Sequence, residues 1–349
     1  MYPFKEGFFA VQNGWYVLAF AQDLKQELVS RWLLNEPVVL YRQQNGEPVA
    51  LSGLCPHRFY PLGKSELKND HITCSYHGFE FNAQGACTNI PGQDNIPSTC
   101  KLRRYPAVEH GMWIWVWPGD PAKADKALLP DLVEISHDRP GFTAMPFYFH
   151  EIKARYQLLN DNLLDLSHLA FLHATTIGVG ANATVPEELT EEPPRVMRSR
   201  RRMKDCPAPP VVKTTYGYEG KIDQVNGMDF YAPGLHAGFA DMFYPEGHPQ
   251  AGTLLRKAQV FHAVTPATRN SCYYFFGMAS DSIPQLEVMK EYLKKTVAED
   301  IDASESIEHM LGIHGEPTRE VVKFSDRNTV RGRLLLQKLM EAERTGNVA

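Results

Sequence analysis

Two short cysteine–histidine pairs in the first quarter of the chain constrain its fold more than any other feature. The first is Cys55-Pro56-His57, and the second, after sixteen intervening residues, is Cys74-Ser75-Tyr76-His77. Each pair offers one thiolate and one imidazole, and both groups are common ligands of protein-bound metals. The fold therefore has to bring two loops together, so that two cysteines and two histidines clamp one metal centre.

Two kinds of metal centre use this set of ligands. In a Rieske [2Fe–2S] cluster, cysteines hold one iron and histidines hold the other. A structural zinc site with two cysteines and two histidines is the alternative. Zinc fingers usually pair Cys with Cys and His with His, whereas each pair in this chain is mixed. The spacing therefore favours the Rieske cluster.

The residues around these pairs predict a β-rich N-terminal domain. Val38–Tyr41 and Val49–Leu54 flank an Asn-Gly turn, and Phe79–Phe81 and Ala86–Asn89 flank a second turn, as is typical of β-hairpins. The apolar run Met112–Trp117 has the length of one strand. Both cysteine–histidine pairs lie where predicted strands give way to turns.

Composition indicates an ordinary two-domain protein. The chain has 349 residues, 43% of them hydrophobic, and a net charge of −5, which gives no nucleic-acid footprint. No apolar run approaches the ~18 residues of a membrane span, and the first seven residues lack a leader-like pattern. Six cysteines in this length are not a disulfide framework. We therefore expect a cytoplasmic protein.

The pattern changes near residue 148, and we predict domains at residues 1–147 and 148–349. A helical stretch follows the boundary, then a Pro/Arg-rich segment (186–212), short strand-like runs and two C-terminal helical stretches. The basic run from Arg198 to Lys204 is expected to form a solvated face. Docking of an acidic electron donor is the alternative for this run.

The segment Asn160–His173 is the second informative stretch. Its apolar residues are spaced as on one face of a helix that packs against a core, and they are Leu159, Leu163, Leu166 and Ala170. Asp165 and His168 share a different face. His173 lies about 140° further around an ideal helix than His168, so a regular helix cannot bring both imidazoles to one metal. A break between them would allow it; otherwise both are ordinary polar residues.

Two histidines and one carboxylate form the facial triad of non-haem Fe(II) oxygenases, which leaves positions open for O2. The helix predicted from about Pro284 to Met310 has an apolar stripe whose next position in phase is Asp300. The stripe consists of Leu286, Met289, Leu293 and Val297. Glu299 and Asp302 lie off it and are expected to face water. A buried carboxylate needs a metal or a cation beside it, so Asp300 is either the third ligand or half of a salt bridge.

Further motifs add to these two constellations. They are Asn13-Gly-Trp-Tyr-Val17, Cys55-Pro-His-Arg58 with Pro61-Leu62, Tyr76-His-Gly78, Ile90-Pro-Gly92, Trp113–Gly119, Asp161–Asp165 with His168 and His173–Gly178, Tyr274–Gly277 and Glu299-Asp300. With these motifs the chain resembles, over essentially its full length, the oxygenase components of Rieske non-haem iron oxygenases. It is most similar to the branch of vanillate O-demethylase and dicamba monooxygenase.

The resemblance implies an α+β protein. An all-β Rieske domain would precede a helix-grip catalytic domain, in which helices pack on an antiparallel sheet. The resemblance also implies the ligands of both centres: Cys55 and Cys74 for one iron of the [2Fe–2S] cluster, His57 and His77 for the other, and His168, His173 and Asp300 for mononuclear Fe(II).

Two more roles follow from the resemblance. Asp165 is similar to the family's bridging aspartate, which links an iron-ligand histidine to a Rieske histidine of the neighbouring subunit. A bridge of this kind implies a head-to-tail ring, so the expected assembly is a homotrimer with electron transfer across subunits. Asn162 matches an asparagine that lies near the iron in this branch.

The implied function is that of a terminal monooxygenase component that receives electrons from an NAD(P)H-dependent reductase of the flavin or ferredoxin type. The chain has neither a GxGxxG motif nor a plant-type ferredoxin cysteine run, so the reductase must be a separate protein. Hydroxylation of a methyl or methoxy group on an aromatic substrate is the leading expectation, and a methoxy group would then release formaldehyde. The alternatives are hydroxylation of a ring, methyl or alicyclic carbon, N-demethylation, a Rieske electron-transfer protein and a zinc-binding module.

Substrate contacts are less well defined by the sequence. His262 matches a position that faces the substrate in this branch, and Phe230 and Tyr231 lie in an aromatic segment that suits a flat apolar ligand. Two departures from the family lie in the cluster loops. Phe59-Tyr60 replaces smaller residues, and Phe79 stands where Trp or Leu is common. Neither departure removes a metal ligand.

Overall fold

The computed structural model describes residues 8–192, 195–257, 259–315 and 320–345. The chain forms two compact units, of which the smaller consists of Gln12–Leu129 and Thr265–Arg269. The larger unit contains the other described residues, namely those up to Val11, Pro130–Val264 and those from Asn270 onward. The domain boundary after residue 147 stays a prediction of the sequence. The first seven residues, which were judged to lack a leader, lie outside the described ranges.

The smaller unit is built from short antiparallel strands. They are β1 (Tyr16–Phe20), β2 (Val29–Leu33), β3 (Glu36–Arg42), β4 (Pro48–Ser52), β5 (Glu66–Lys68), β6 (His71–Thr73), β7 (Glu80–Phe81), β8 (Cys87–Asn89), β9 (Arg104–Tyr105), β10 (Ala107–His110) and β11 (Trp113–Val116). They form three sheets in the orders β1-β11-β10, β2-β3-β4-β9 and β5-β6-β7-β8. The all-β prediction for this part of the chain is confirmed.

Both predicted hairpins are present. Strands β3 and β4 pair across a turn at Gly46, whose φ of 90° is a left-handed conformation that glycine adopts at low cost. Strands β7 and β8 pair across the turn that ends at Gly85. The Trp-rich run forms the fully buried strand β11. The two hairpins matter for function because the cysteine–histidine loops lie next to them.

The larger unit combines one antiparallel sheet with helices. Its strands are β12 (Thr143–Ile152), β13 (Glu188–Glu192), β14 (Val196–Pro207), β15 (Lys221–Tyr231), β16 (Leu235–Phe243), β17 (Leu254–Arg256), β18 (Gln259–Thr268) and β19 (Ser271–Ser280). The sheet order is β12-β19-β18-β16-β15-β14-β13, and β17 pairs with β16. The helices are α1 (Tyr156–Leu164), α2 (Ala181–Thr184), α3 (Pro210–Tyr216), α4 (Ile283–His314) and α5 (Arg327–Thr345). This is the predicted α+β, helix-grip architecture.

The long helix α4 packs against α1, β12 and β19. Its predicted apolar stripe is confirmed, because Leu286, Met289, Leu293 and Val297 are all buried and Asp300 continues the stripe. Burial of four apolar side chains on one face is what fixes the rotation of a helix about its axis. The same rotation turns Asp300 into the interior.

Ion pairs fix α1, which carries part of the site. Arg155, the residue before α1, donates from Nε to Glu308 Oε2 at 2.6 Å and from a terminal nitrogen to Oε1 at 2.8 Å. Arg333 of α5 donates to Asp161 Oδ2 at 2.6 Å. Arginine–carboxylate pairs with two parallel hydrogen bonds hold geometry well. Helix α1 is therefore held from both α4 and α5.

Candidate metal centres and the cavity beside them

The predicted break in the helical segment is present. Helix α1 ends at Leu164, and Asp165 has φ −106° and ψ 85°, outside the helical region. Its carboxylate caps the short 3-10 turn that follows by accepting a hydrogen bond from the Ser167 N–H at 2.9 Å. Consecutive turns then lead to His173. As a result, the imidazole rings of His168 and His173 lie 5.1 Å apart.

Three side chains from two distant segments converge here. One ligand atom each of His168, His173 and Asp300 lies within 4.8 Å of the other two. Asp300 Oδ1 is 3.0 Å from His173 Nε2 and 3.6 Å from His168 Nε2. This spacing suits a single divalent cation, and two imidazoles plus one carboxylate are the donor set of a non-haem Fe(II) site.

The hydrogen bonds of the two imidazoles orient them for metal binding. His168 Nδ1 donates to the Asp165 backbone carbonyl at 2.5 Å, and His173 Nδ1 donates to Glu299 Oε2 at 2.8 Å. Because both partners are acceptors, each Nδ1 carries a hydrogen, and Nε2, which faces Asp300, is left as the nitrogen that would bind a metal. Metal-binding histidines generally use the second ring nitrogen in this way.

The chemistry of Asp300 also fits a metal. Burial by itself raises the pKa of this carboxyl, but the hydrogen bond from His173 and the nearby charges of His173 and His168 bring it below its usual value. Within the described ranges, its ion pairs are with those two histidines and with no lysine or arginine. The described residues therefore give no support to a lysine or arginine salt bridge at Asp300, and its role as an iron ligand stays a prediction.

Asn162 and Asp165 both lie beside this triad. Asn162 Nδ2 donates to Asp300 Oδ1 at 3.1 Å, so the asparagine is within reach of the site, as predicted. Asp165 contacts His168 through its carbonyl, and its carboxylate lies 3.4 Å from Lys323 Nζ. The bridging role of that carboxylate stays a prediction.

Glu299 differs from the sequence expectation. Only 21% of its side chain is exposed, and its carboxylate holds His173 instead of facing water. Asp302, in contrast, is exposed as predicted. The Glu299-Asp300 pair was visible in the sequence, but nothing there showed that His173 would approach the helix from this side.

The two cysteine–histidine loops have matching geometry. The Phe59 N–H donates to the Cys55 carbonyl at 2.9 Å, and the Gly78 N–H donates to the Cys74 carbonyl at 2.8 Å. Each hydrogen bond closes a tight turn that contains the histidine of its pair. Gly78 has φ 73°, and a Cβ there would lie 2.9 Å from Pro91 Cγ, so a larger residue does not fit.

The four side chains of these loops fit a Rieske cluster. Cys55 and Cys74 are buried among apolar core residues, whereas His57 and His77 are exposed with ring centroids 4.6 Å apart. Burial chiefly, and the neighbouring Cys74 thiol, raise the pKa of Cys55 to about 11. The raised pKa keeps the thiol protonated in the absence of metal, and iron would overcome this because a metal binds the thiolate form.

The residues that depart from the family pattern lie around the exposed imidazoles. Phe79 stacks on the His57 ring with 4.9 Å between centroids and 13° between planes. The Tyr60 ring lies 5.7 Å from that of Tyr76. Phe59 is 72% exposed. These aromatic side chains therefore form part of the surface beside the cluster loops.

A cavity of about 130 Å³ opens beside the triad, within the larger unit. Its walls are mostly apolar side chains from α1, β15, β16, β18, β19 and α4, and His168, His173, Asp300 and His262 also line it. An apolar cavity of ~150 Å³ is large enough to hold benzene. The size and walls therefore suit one aromatic ring placed against the triad.

His262 lines this cavity, and its predicted contact with a substrate stays a prediction. Burial chiefly lowers the pKa of its imidazole to about 4, so the ring is neutral at pH 7. Its Nδ1 lies within hydrogen-bond distance of the Tyr274 hydroxyl, at 2.6 Å. Tyr274, which also lines the cavity, was not predicted as a site residue.

Phe230 and Tyr231 are not part of this cavity. Phe230 is fully buried and stacks on His236, with 4.5 Å between ring centroids. The Tyr231 hydroxyl instead contacts Arg198 at 3.2 Å and Glu134 at 3.1 Å. The predicted substrate contacts of these two residues therefore have no support from their positions; Met228, from the same aromatic segment, lines the cavity.

A cluster-binding β domain, together with a site of two histidines and one carboxylate on an apolar cavity, defines the oxygenase component of a Rieske system. Two family models match the chain: the Rieske [2Fe–2S] domain over residues 14–106 and the vanillate O-demethylase oxygenase C-terminal domain over residues 152–342. The chain belongs to this family of Rieske non-haem iron oxygenase components.

Individual relatives agree over nearly the full length. The iron–sulfur subunit of the toluene-4-sulfonate monooxygenase system of Comamonas testosteroni is 34% identical, covering 96% of this chain and 99% of its own. The oxygenase component of dicamba O-demethylase from Stenotrophomonas maltophilia is 31% identical, with 95% and 98% covered. A crystal structure of dicamba monooxygenase with non-haem iron and dicamba superposes with a TM-score of 0.79 at 29% identity, covering 96% and 98%.

The cofactors of the chain are accordingly a Rieske [2Fe–2S] cluster and a mononuclear iron. No described helix combines the length and apolar character that a membrane span requires.

Proposed function

We propose that this protein is a monooxygenase component that hydroxylates a methyl or methoxy group on a single-ring aromatic substrate, with O-demethylation as the leading reaction. The observation that carries the proposal is the convergence of His168, His173 and Asp300 on the wall of a ring-sized apolar cavity. Dicamba O-demethylase at 31% identity and vanillate O-demethylase at 30% identity support the choice of reaction.

The ligand assignments follow from the metal-binding side chains that each site offers. We assign Cys55, His57, Cys74 and His77 to the cluster, and His168, His173 and Asp300 to the mononuclear iron. When bound, the iron supplies O2 activation and the cluster supplies electrons singly. The protein's own work is to orient these side chains. The Asp165 carbonyl fixes His168, Glu299 fixes His173, and the Asn162 amide holds the Asp300 carboxylate.

The cavity positions the substrate and excludes water. Its apolar walls hold the ring, and the neutral imidazole of His262 also lines the cavity beside the triad. Hydroxylation of a methoxy carbon takes one atom of O2, and two electrons and two protons reduce the other atom to water. The resulting hemiacetal breaks its bond to the methyl-derived carbon and gives a phenol and formaldehyde.

We also propose the partners. Electrons come from a separate NAD(P)H-dependent reductase, which docks where His57 and His77 are exposed among aromatic side chains. The functional assembly is a homotrimer in which Asp165 links the mononuclear site of one subunit to the cluster of the next. A reducing cytoplasm suits a chain whose described cysteines are free thiols.

Hydroxylation of a ring methyl group, without loss of a carbon, is the second candidate. It is favoured by the 34% identity to the toluene-4-sulfonate monooxygenase subunit, which covers nearly the whole of both chains. The same cavity and the same triad would serve. The two candidates differ in their products, because a hydroxylated ring methyl is a stable alcohol.

The test is turnover of iron-loaded protein with O2, NADH and a surrogate reductase on methoxy-, N-methyl- and methyl-substituted arenes. Formaldehyde formed one-to-one with O2 consumed, from a methoxyarene, supports O-demethylation. Alcohol without formaldehyde supports the second candidate. Product formation that is independent of O2 contradicts both.

A further inference from the structure

One charged side chain lines the otherwise mostly apolar cavity. Arg256 lines the cavity and is only 7% exposed. Its guanidinium contacts the Met289 sulfur at 4.0 Å and the Tyr216 hydroxyl, and among the described residues no carboxylate pairs with it. Burial of an unpaired cation is costly. An anionic ligand in the cavity would offset this cost.

Polar groups without partners cluster around Arg256. In the sheet register Gln224 lies opposite Met242 on β15 and β16, and Met242 lies opposite Arg256 on β17, so the three form one row across three strands. Asn226 lies two residues along β15, on the same face. Gln224 Oε1, Asn226 Oδ1 and Thr296 Oγ1 are buried without hydrogen-bond partners, and all three residues line the cavity.

These groups suit an oxyanion. Arginine binds carboxylates and sulfonate-like groups through two parallel hydrogen bonds. The threonine hydroxyl can donate as well, and rotation of each amide by half a turn presents its NH2 group in place of its oxygen. Together they provide several donors at one end of an otherwise apolar cavity.

We infer that Arg256 binds the carboxylate or sulfonate of an aromatic acid and thereby selects anionic substrates. The inference rests on the proposed function, because it concerns the substrate of the same cavity. It also sets an orientation. Arg256 lies against Met289, eleven residues or about 16 Å of helix rise before Asp300 on α4. Arg256 and the triad therefore lie towards opposite ends of the cavity, which favours a substrate whose anionic group and attacked group are para to each other over one in which they are ortho.

The test is calorimetric binding to purified holoprotein without reductase or NADH, so that no turnover is needed. The probes are 4-methylbenzenesulfonate and 4-methoxybenzoate, each compared with its neutral amide, 4-methylbenzenesulfonamide or 4-methoxybenzamide. We expect at least one anion to bind at least tenfold more tightly than its amide. Whichever of the two anions binds more tightly shows whether the site prefers a sulfonate or a carboxylate. We also expect 2-methoxybenzoate to bind more weakly than 4-methoxybenzoate.

The matched variants isolate the guanidinium. Arg256→Gln should abolish the preference for the anion while leaving amide binding within twofold, and Arg256→Lys should retain part of it. Lys257→Gln removes the neighbouring positive charge, which lies outside the cavity 3.6 Å from Asp241, and should leave all affinities unchanged. If Arg256→Gln fails to fold, Arg256→Lys alone decides, since it should weaken anion binding severalfold.

Equal binding of anions and amides, absence of binding by every probe, or undiminished anion binding in a folded Arg256 variant would overturn the inference. Failure of the proposed function is a separate result. Tight, Arg256-dependent binding of the anions without any O2-dependent product would contradict the reaction and leave the assignment of Arg256 standing.

Discussion

The side chain of Glu299 offers the most specific test of how the mononuclear site is held. Its Oε2 accepts the His173 Nδ1 hydrogen at 2.8 Å, with 21% of the side chain exposed. Glu299→Ala removes this acceptor without removing a proposed ligand. His173 then loses the contact that fixes its tautomer and orientation, so the mononuclear iron should bind more weakly while the cluster is unaffected.

The magnitude follows from the geometry. A hydrogen bond to a charged group contributes roughly 1.5–3 kcal/mol, and partial exposure of Glu299 favours the lower part of that range. Loss of partners of this kind typically lowers metal affinity 10–100-fold, which is about 1.4–2.7 kcal/mol. Glu299→Gln keeps an oxygen acceptor without its charge, so its loss should be smaller.

The assay is anaerobic competition for Fe(II) against a chromogenic chelator, with the visible absorption of the cluster as an internal standard. Glu291→Ala is the matched control, because Glu291 lies on the same helix with 74% of its side chain exposed. An iron affinity in Glu299→Ala equal to that of the control, with an intact cluster spectrum, would refute the proposed role of Glu299.

Two further predictions use other parts of the site. Asp165→Asn keeps an oxygen that can cap the Ser167 N–H, so both metals should stay bound. Because the proposed bridge needs the carboxylate, electron transfer from the cluster to the mononuclear iron should slow severely. Single-turnover kinetics at the normal rate would contradict the bridging role. Glu308→Gln should destabilise the protein by roughly 2–3 kcal/mol at pH 7, because it breaks the half-buried pair with Arg155. Burial alone raises the pKa of Glu308, but the hydrogen bonds from Arg155 outweigh burial and lower this pKa in the folded protein. The stabilisation is therefore present above the pKa of an unfolded glutamate, ~4.3, and is lost as the pH falls below it. Melting temperatures between pH 3 and 7 check this, and a gap between wild type and variant that widens towards low pH would show the sign to be wrong.

Some features of the site were predictable because they depend on local geometry. A spacing of five residues between His168 and His173 is incompatible with a regular helix, so a break was required if both were to meet. A carboxylate in phase with four apolar residues has to be buried, which placed Asp300 in the interior. Both features depend on a single segment of chain and its helical period.

Other features depend on contacts with segments that are distant in the sequence. Glu299 was expected in water because its own helix phase places it off the stripe, but His173 approaches from outside that helix. Arg256 lies in a strand of three residues, too short for a pattern to indicate its environment. Phe230 shares a strand face with Met228, yet His236 covers its ring.

The environments of the charged residues in the basic run also depend on distant segments. It was expected to be a solvated face, and Arg202 and Lys204 are indeed exposed. Arg201 is buried and lies 3.2 Å from Glu187, and Arg198 pairs with Asp229 at 2.8 Å. Alternation along β14 turns Arg201 inward, whereas Arg198 lies on the opposite face and pairs there with Asp229 of β15.

The mononuclear iron site is tested most sharply by the iron content and turnover of Asp300→Ala beside Asp302→Ala, whose side chain is exposed on the same helix. Asp300→Ala should fall from about three to about two iron atoms per chain, keep the visible spectrum of the cluster and lose O2-dependent product formation. Asp302→Ala should match the wild type in all three. Retention of the third iron and of turnover in Asp300→Ala would contradict the assignment of the mononuclear site.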